Sequence, residues 1–198
     1  MFETLINIDK DLFLLINGIH NEFFDFIMWW ISKPITWLPL YILIAYLIIK
    51  KYKQKGIIII LLAGLLIALS DLSSVHLFKN VFHRLRPSHN PDFQDLIHLV
   101  NNKHGGTFGF VSSHAANMFA VATYVFLILK KHYKPFTIGL FVWAAIISYS
   151  RIYLGLHYPA DIFAGALLGV VCGIITFNIY LFVEKTFLQN FYADTFKT

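Results

Sequence analysis

The chain has 198 residues, with 16 Lys and Arg against 11 Asp and Glu, a formal charge of +5 before any histidine charges. Only 14% of residues are charged while 58% are hydrophobic, and a soluble domain carries about 25% charged residues, so the composition excludes an ordinary soluble globule and equally excludes a disordered chain. The single cysteine, Cys172, excludes an internal disulfide framework and a cysteine-cluster metal site, and the length fits one domain spanning 1–198.

A membrane-crossing helix needs roughly 20 mostly apolar residues. In chain order, residues 1–20 place Leu5, Ile8, Leu12, Leu15 and Ile16 at helical spacing around Asp9, Lys10 and Asp11, the pattern of a helix lying in the membrane interface. Met1–Glu3 supplies no basic segment, so a cleaved signal peptide is not expected. Phe23–Ile31 is a short apolar run ending at Lys33-Pro34, and Trp37–Ile49 follows. Gly56–Phe78 has Asp71 as its only carboxylate, and Ala115–Leu129, Pro135–Tyr149 and Ile162–Val183 complete the set. The prediction is an all-α integral membrane bundle of about six transmembrane helices. Trp29, Trp30 and Trp37 are read as interface anchors, Cys172 as a small packing residue, and Asp71 as a structural partner within the bundle.

Because successive spans alternate direction, span counting places the loops. The Lys-rich segments Lys50–Lys55 and Lys130–Lys134 fall on one face, and residues 79–114 and 150–161 share the other. The positive-inside rule makes the Lys-rich face cytoplasmic, so 83–113 becomes a long extracytoplasmic loop. Loops of that length with Gly, Asn and His are often functional, although its own His89, Asp92, Asp95, His98, Lys103 and His104 are read as facing water.

Three blocks on the shared face carry chemistry. In Lys79-Asn80-Val81-Phe82-His83-Arg84-Leu85-Arg86-Pro87, a helix would put Lys79 and Arg86 on one face about 10 Å apart along the axis, ending near Arg86 because of Pro87. Arg grips phosphate oxygens bidentately and Lys acts as a point charge. In Gly109-Phe110-Val111-Ser112-Ser113-His114, either serine can cap the following helix, whose N-terminus offers free N–H groups to an anion, and His114 is placed to give a proton to a leaving oxygen. In Ser150-Arg151 through His157-Tyr158-Pro159-Ala160-Asp161, Pro159 suits the first helical position and Asp161 the third, from which it reaches back toward His157. An Asp holding one imidazole nitrogen leaves the other free to attack. Each block alone fits a bland use: a basic flank, a Ser cap, a capping Asp. Together they bring three cations, two His, an Asp and two Ser to one membrane face, where charges are costly unless satisfied.

The pattern Lys79…Arg86-Pro87, Ser112-Ser113-His114 and Ser150-Arg151…His157…Asp161 resembles that of the type 2 phosphatidic acid phosphatase family. The resemblance spans Lys79–Asp161 and agrees with the span layout around it. It departs from the family at Val111 and Ser113, where Pro and Gly are usual. It implies a metal-independent lipid phosphatase without cofactor in which His157 attacks phosphorus, Asp161 orients His157, His114 protonates the leaving group and then activates water, and Lys79, Arg86, Arg151, Ser112 and Ser113 hold the phosphate. The implied partner is a lipid phosphate in the cytoplasmic membrane, with no nucleic acid; candidates are undecaprenyl diphosphate, phosphatidylglycerophosphate, phosphatidic acid and lipid A phosphates. Rival readings of the same residues are a serine hydrolase, for which the chain lacks a Gly-x-Ser-x-Gly elbow, a metal site built from His114, His157 and Asp161, and a membrane anion or lipid-phosphate carrier without hydrolysis.

Overall fold

The computed structural model describes residues 2–93 and 96–188. Six α-helices of ten residues or more carry the fold: α1 (Phe2–Gly18), α2 (Glu22–Ile31), α3 (Leu38–Tyr52), α4 (Lys55–Ser73), α5 (Ser113–Tyr153) and α6 (Pro159–Val183). Among the described residues four helical stretches are long and apolar enough to cross a membrane, Pro34–Tyr52, Lys55–Phe82, Ser113–Tyr153 and Pro159–Thr186.

The third of these is two crossings. Its 41 residues break at Tyr133, whose φ of −137° and ψ of 46° are not helical. Pro135 explains the position, since it removes a backbone donor and disfavours helix in the residue before it. The halves 113–132 and 134–153 fold back on each other, with Phe119 and Phe126 both in ring contact with Phe141. The two predicted spans and the Lys130–Lys134 turn are therefore present as one bent element.

Side-chain bonds fix the two ends of the bundle. At one end Tyr52 donates to the Ile128 carbonyl (2.6 Å) and Lys55 pairs with Glu184 (2.9 Å), so the Lys-rich turns gather there. At the other end lie the 83–112 loop and the short 154–158 connection, as span counting requires. Buried Ile48, Ile59, Leu66, Tyr124, Leu129, Leu140 and Ile147 fill the space between, with Cys172 packed among them.

α2 is helical as expected but has ten residues, about 15 Å of rise against a hydrocarbon core of about 30 Å. In α1 the apolar stripe faces outward: Leu5, Ile8, Leu12 and Leu15 are exposed, while Phe13 and Asn17 are buried. Asp9 and Asn17 point into the protein, where Asn17 donates to the carbonyls of His98 (3.0 Å) and Tyr153 (2.8 Å). The loop is tied down, although Asp92, Lys103 and His104 stay exposed to water as expected. His98 meets Asp25 (2.9 Å) and stacks on His20 (3.7 Å between centroids), and Asp92 pairs with Lys10 (3.3 Å). His104 bonds the Ser88 carbonyl (3.2 Å), and Lys103 lies over the Trp29 ring. Asp95 lies outside the described residues.

The closest packing in the bundle joins α6 to the first half of α5. A Cβ at Gly165 would lie 2.6 Å from the Ser112 carbonyl oxygen, one at Gly169 2.2 Å from that of Ala116, and one at Gly173 2.8 Å from the Thr123 Cβ. Backbone meets backbone along this seam. Replacing Gly by Ala in a helix gains about 1 kcal/mol of propensity, whereas overpacking costs about 1–3 kcal/mol, and at Gly169 the obstacle is main chain that cannot rotate away. Gly169→Ala is predicted to lower the melting temperature in detergent, while Gly139→Ala, where a Cβ meets nothing within 4 Å, leaves it unchanged or raises it.

Candidate active site

Each side chain of the site is placed by a local device. α5 ends in a Schellman motif, with the Gly155 amide on the Ile152 carbonyl and the Leu156 amide on that of Arg151, both 3.0 Å, and with Gly155 at a φ of +75°. That left-handed position suits glycine, and it turns the chain so that His157 follows at once, 2% exposed. Pro159 then opens α6, and Asp161 accepts from the Tyr158 amide (3.0 Å), the capping role expected of the third helical position. The same carboxylate oxygen lies 3.4 Å from His157 Nδ1, which leaves Nε2 as the unengaged nitrogen.

Ser112 caps α5, its Oγ accepting from the Ala115 amide (3.4 Å). Its own amide donates to the Asp161 carbonyl (3.0 Å), joining the starts of α5 and α6. Ser113 opens α5 and turns its hydroxyl toward α4, where it bonds Ser74 Oγ (2.6 Å) and accepts from Lys79 Nζ. Ser74 in turn donates to the Asp71 carbonyl (2.8 Å). The hydroxyl at 113 therefore anchors Lys79.

Lys79 and Arg86 reach the site by a different route from the one the spacing suggests. Residues Ser74–Lys79 form a π-helical turn, the helix ends at Phe82, and His83 is left-handed at φ 46°. Arg86 is extended, not helical. A π turn widens the helix and re-aims its last side chains, and the chain then doubles back. The Arg86 amide bonds the Thr107 carbonyl (3.1 Å) and the Gly109 amide that of Arg84 (2.8 Å), so the neck of the long loop is clasped and Arg86 is held over the pocket, its Nε on the Phe108 carbonyl (3.2 Å). Arg151 comes from the last turn of α5, 4% exposed, with Nη1 donating to Ser32 and Nε without a partner among the described residues.

A cavity of about 280 Å³ collects these groups: Lys79, Arg86, Ser113, His114, Arg151 and His157 line it, together with Asp71 and Asn117. Of the sequence-derived site residues, Asp161 stands directly behind His157, and Ser112 is wholly buried at the helix joint. Among the described residues neither Lys79, Arg86 nor Arg151 has a carboxylate within ion-pair distance. Cations withdrawn from water without a close counter-charge are costly, and an anion in this cavity would satisfy all three.

Arg84 and Asp9 did not emerge from the sequence as site residues. Arg84 bridges Asp161 (2.7 Å) and Asp9 (2.6 Å) and lies over the Tyr158 ring; Asp9 also accepts from the Ala160 amide (2.8 Å). The second arginine of the Arg-x-Arg pair therefore faces the pocket while the first secures the carboxylate behind His157. Their alternation in an extended segment is the available signal, but the partner lies 75 residues away in a helix that reads as peripheral.

Burial, then the positive fields of Arg86, Arg151 and Lys79, hold the His157 imidazole well below its ordinary value, with the Gly109 backbone opposing weakly. The neutral form is thus favoured, and neutral imidazole has a free lone pair. Because the folded value lies below the usual 6.5, His157 is predicted to stay neutral as pH falls through 6.5. ¹⁵N-histidine NMR in detergent, with the signal assigned by its loss in His157→Gln, checks this; protonation of His157 near pH 6.5 would contradict it.

A family model described as the PAP2 superfamily matches residues 56–185. The chain is 39% identical over 198 residues to a lipid A 4′-phosphatase of Bacteroides thetaiotaomicron, covering 98% of this chain and 85% of that protein. It is 33% identical to a lipid A 4′-phosphatase of Porphyromonas gingivalis, covering 94% and 78%. The fold resembles the crystal structure of a transmembrane PAP2-type phosphatidylglycerolphosphate phosphatase from Bacillus subtilis, with a TM-score of 0.66 and 23% identity over 92% of this chain and 88% of that one.

Proposed function

The chain belongs to the PAP2 superfamily, and from that premise we propose that it removes the 4′-phosphate of a lipid A-type glycolipid through a phosphohistidine. That it is an integral membrane lipid phosphatase follows from its family and relatives. The finer reading is supported by one observation above the rest: three cations line a single cavity beside a buried, neutral-leaning histidine and have no carboxylate paired to them among the described residues. The lipid A relatives, which align over nearly all of this chain, favour that substrate among the candidates.

In the proposed reaction Lys79, Arg86 and Arg151 hold the non-bridging oxygens, as preorganised donors at a water-poor site, where one key donor contributes about 3–4 kcal/mol to the barrier reduction. His157 Nε2 attacks phosphorus and the P–O bond to the sugar breaks. His114 delivers a proton to the departing oxygen. Asp161, fixed by Arg84, faces Nδ1 and stabilises the charge that develops on the ring. Water, deprotonated by His114, then attacks the phosphohistidine, releasing phosphate and restoring His157. Ser112 acts through the joint between α5 and α6, and Ser113 through Lys79, more than as direct ligands.

The Lys-rich turns at the far end of the bundle favour a site facing away from the cytoplasm, and with it residence in the inner membrane. The outward apolar stripe of α1 favours that helix as an interfacial element, and the chain is read as one domain.

Phosphate release from purified lipid A in detergent tests the assignment. His157→Ala is predicted to abolish turnover, and Arg86→Ala to lower kcat by about 100–1,000-fold. Full activity in either variant would overturn the role assigned to that residue.

A further inference from the structure

Two residues of the cavity have no task in phosphate capture or phosphoryl transfer. Asp71, on α4, is exposed and Asn117, on α5, partly buried, and both line the pocket that holds the cations. Among the described residues the carboxylate of Asp71 and the amide of Asn117 make no hydrogen bond, and one end of the Asn117 amide is fully buried without a partner. A carboxylate is the wrong sign for a phosphate pocket. It accepts only, and an ionisable group within a membrane-crossing helix is a functional feature by default. Lys79, whose ammonium feels the Asp71 charge, is bonded to Ser113 and makes no ion pair with Asp71.

Asn117 lines two cavities. It falls three residues after His114, on the same helical face, and so on the side where the leaving oxygen departs. It also lines a second cavity of about 440 Å³ between α3, α4 and α5, walled by Ile44, Ile48, Ile67, Val121 and Val125. That cleft is almost wholly apolar and descends between helices that cross the membrane, so it suits the acyl chain of the same lipid. A lipid with its phosphate among the cations and its chain in that cleft would pass Asn117, and Asp71 lines the phosphate end of that route.

We propose that Asp71 and Asn117 form a leaving-group subsite that binds hydrogen-bond donors of the sugar: the hydroxyl on the carbon beside the phosphate ester, or the amide N–H one carbon farther. The inference rests on the lipid phosphatase reading and deepens it. A substrate lacking such donors, a polyprenyl phosphate or a diacylglycerol phosphate, leaves the carboxylate facing phosphate with nothing between them. A glucosamine 4-phosphate with a free 3-hydroxyl supplies one donor on the carbon beside its phosphate and a second, the 2-amide N–H, one carbon farther.

The test uses the whole 198-residue chain in detergent with three substrates of matched chain length: an N-acylated glucosamine 4-phosphate with a free 3-hydroxyl, its 3-deoxy analogue, and phosphatidic acid. Sites built to bond a substrate hydroxyl discriminate strongly against its absence, so wild-type kcat/KM is expected to fall at least about tenfold from the first substrate to the second. In Asp71→Ala and Asn117→Ala the preference for the sugar phosphate over phosphatidic acid is expected to shrink by about tenfold, and in at least one of them removing the hydroxyl costs nothing further. Asp71→Asn, which keeps an acceptor of the same shape, is expected to retain part of the preference. Preference ratios unchanged in both alanine variants would overturn the subsite, as would a wild-type enzyme indifferent to the missing hydroxyl. A wild type that releases phosphate from none of the three would instead overturn the phosphatase reading on which the subsite rests.

Discussion

The backbone-to-backbone seam between α5 and α6 is the constraint on which the site depends. Gly165, Gly169 and Gly173 present no side chain to Ser112, Ala116 and Thr123, so the two helices approach as closely as their main chains allow. The Ser112 amide crosses the top of the seam to the Asp161 carbonyl. One helix start carries His114 and the other carries Asp161 with His157 just ahead of it. Their separation is thus set by main-chain contacts, which yield far less than side-chain rotamers. In a bilayer, where apolar side chains gain little by leaving lipid, close packing of small residues is a main source of helix association, and in this bundle the same contacts position the proposed nucleophile and acid.

Charge placement follows a consistent division. The cations facing the cavity have no carboxylate within ion-pair distance among the described residues, while the arginine behind it is saturated: Arg84 holds both Asp161 and Asp9. Asp161 is therefore held in place behind His157 without drawing Arg86 away from the pocket. Through Asp9, α1 becomes part of this support, since that residue also caps the start of α6. A helix whose exposed face is apolar contributes its polar face to the catalytic end of the bundle. Keeping three cations unpaired costs folding free energy, and the proposed return is a pocket already arranged for phosphate.

Much of this was legible in the sequence, and the limits have physical causes. The apolar runs, the Lys-rich turns and the alternation of spans suffice to put Lys79, Arg86, His114, Arg151 and His157 at one end, because a crossing helix has no choice of exit face. Pro159 and Asp161 declare a helix start, and Pro135 marks the reversal inside the long helical stretch. The route of Arg86 was not legible: a π turn and a left-handed His83 replace the continuous helix that a seven-residue spacing suggests, and no local residue pattern announces either. Asp9 was hidden because its partner is distant in sequence and its helix carries an apolar stripe that faces out. Asn117 was hidden in an apolar run, where one amide at helical spacing looks like tolerated polarity; only the pocket shows that it faces two cavities. Ser113, a departure from the family pattern, turns out to hold Lys79 with its hydroxyl.

The central claim is that phosphoryl transfer proceeds by two displacements, first onto His157 and then onto water. The stereochemistry at phosphorus tests it most directly. Hydrolysis of a lipid A analogue bearing a 4′-thiophosphate made chiral with oxygen isotopes is predicted to give inorganic thiophosphate of retained configuration, because two in-line inversions cancel. Inverted configuration would mean that water attacks the lipid ester directly, and would contradict the account.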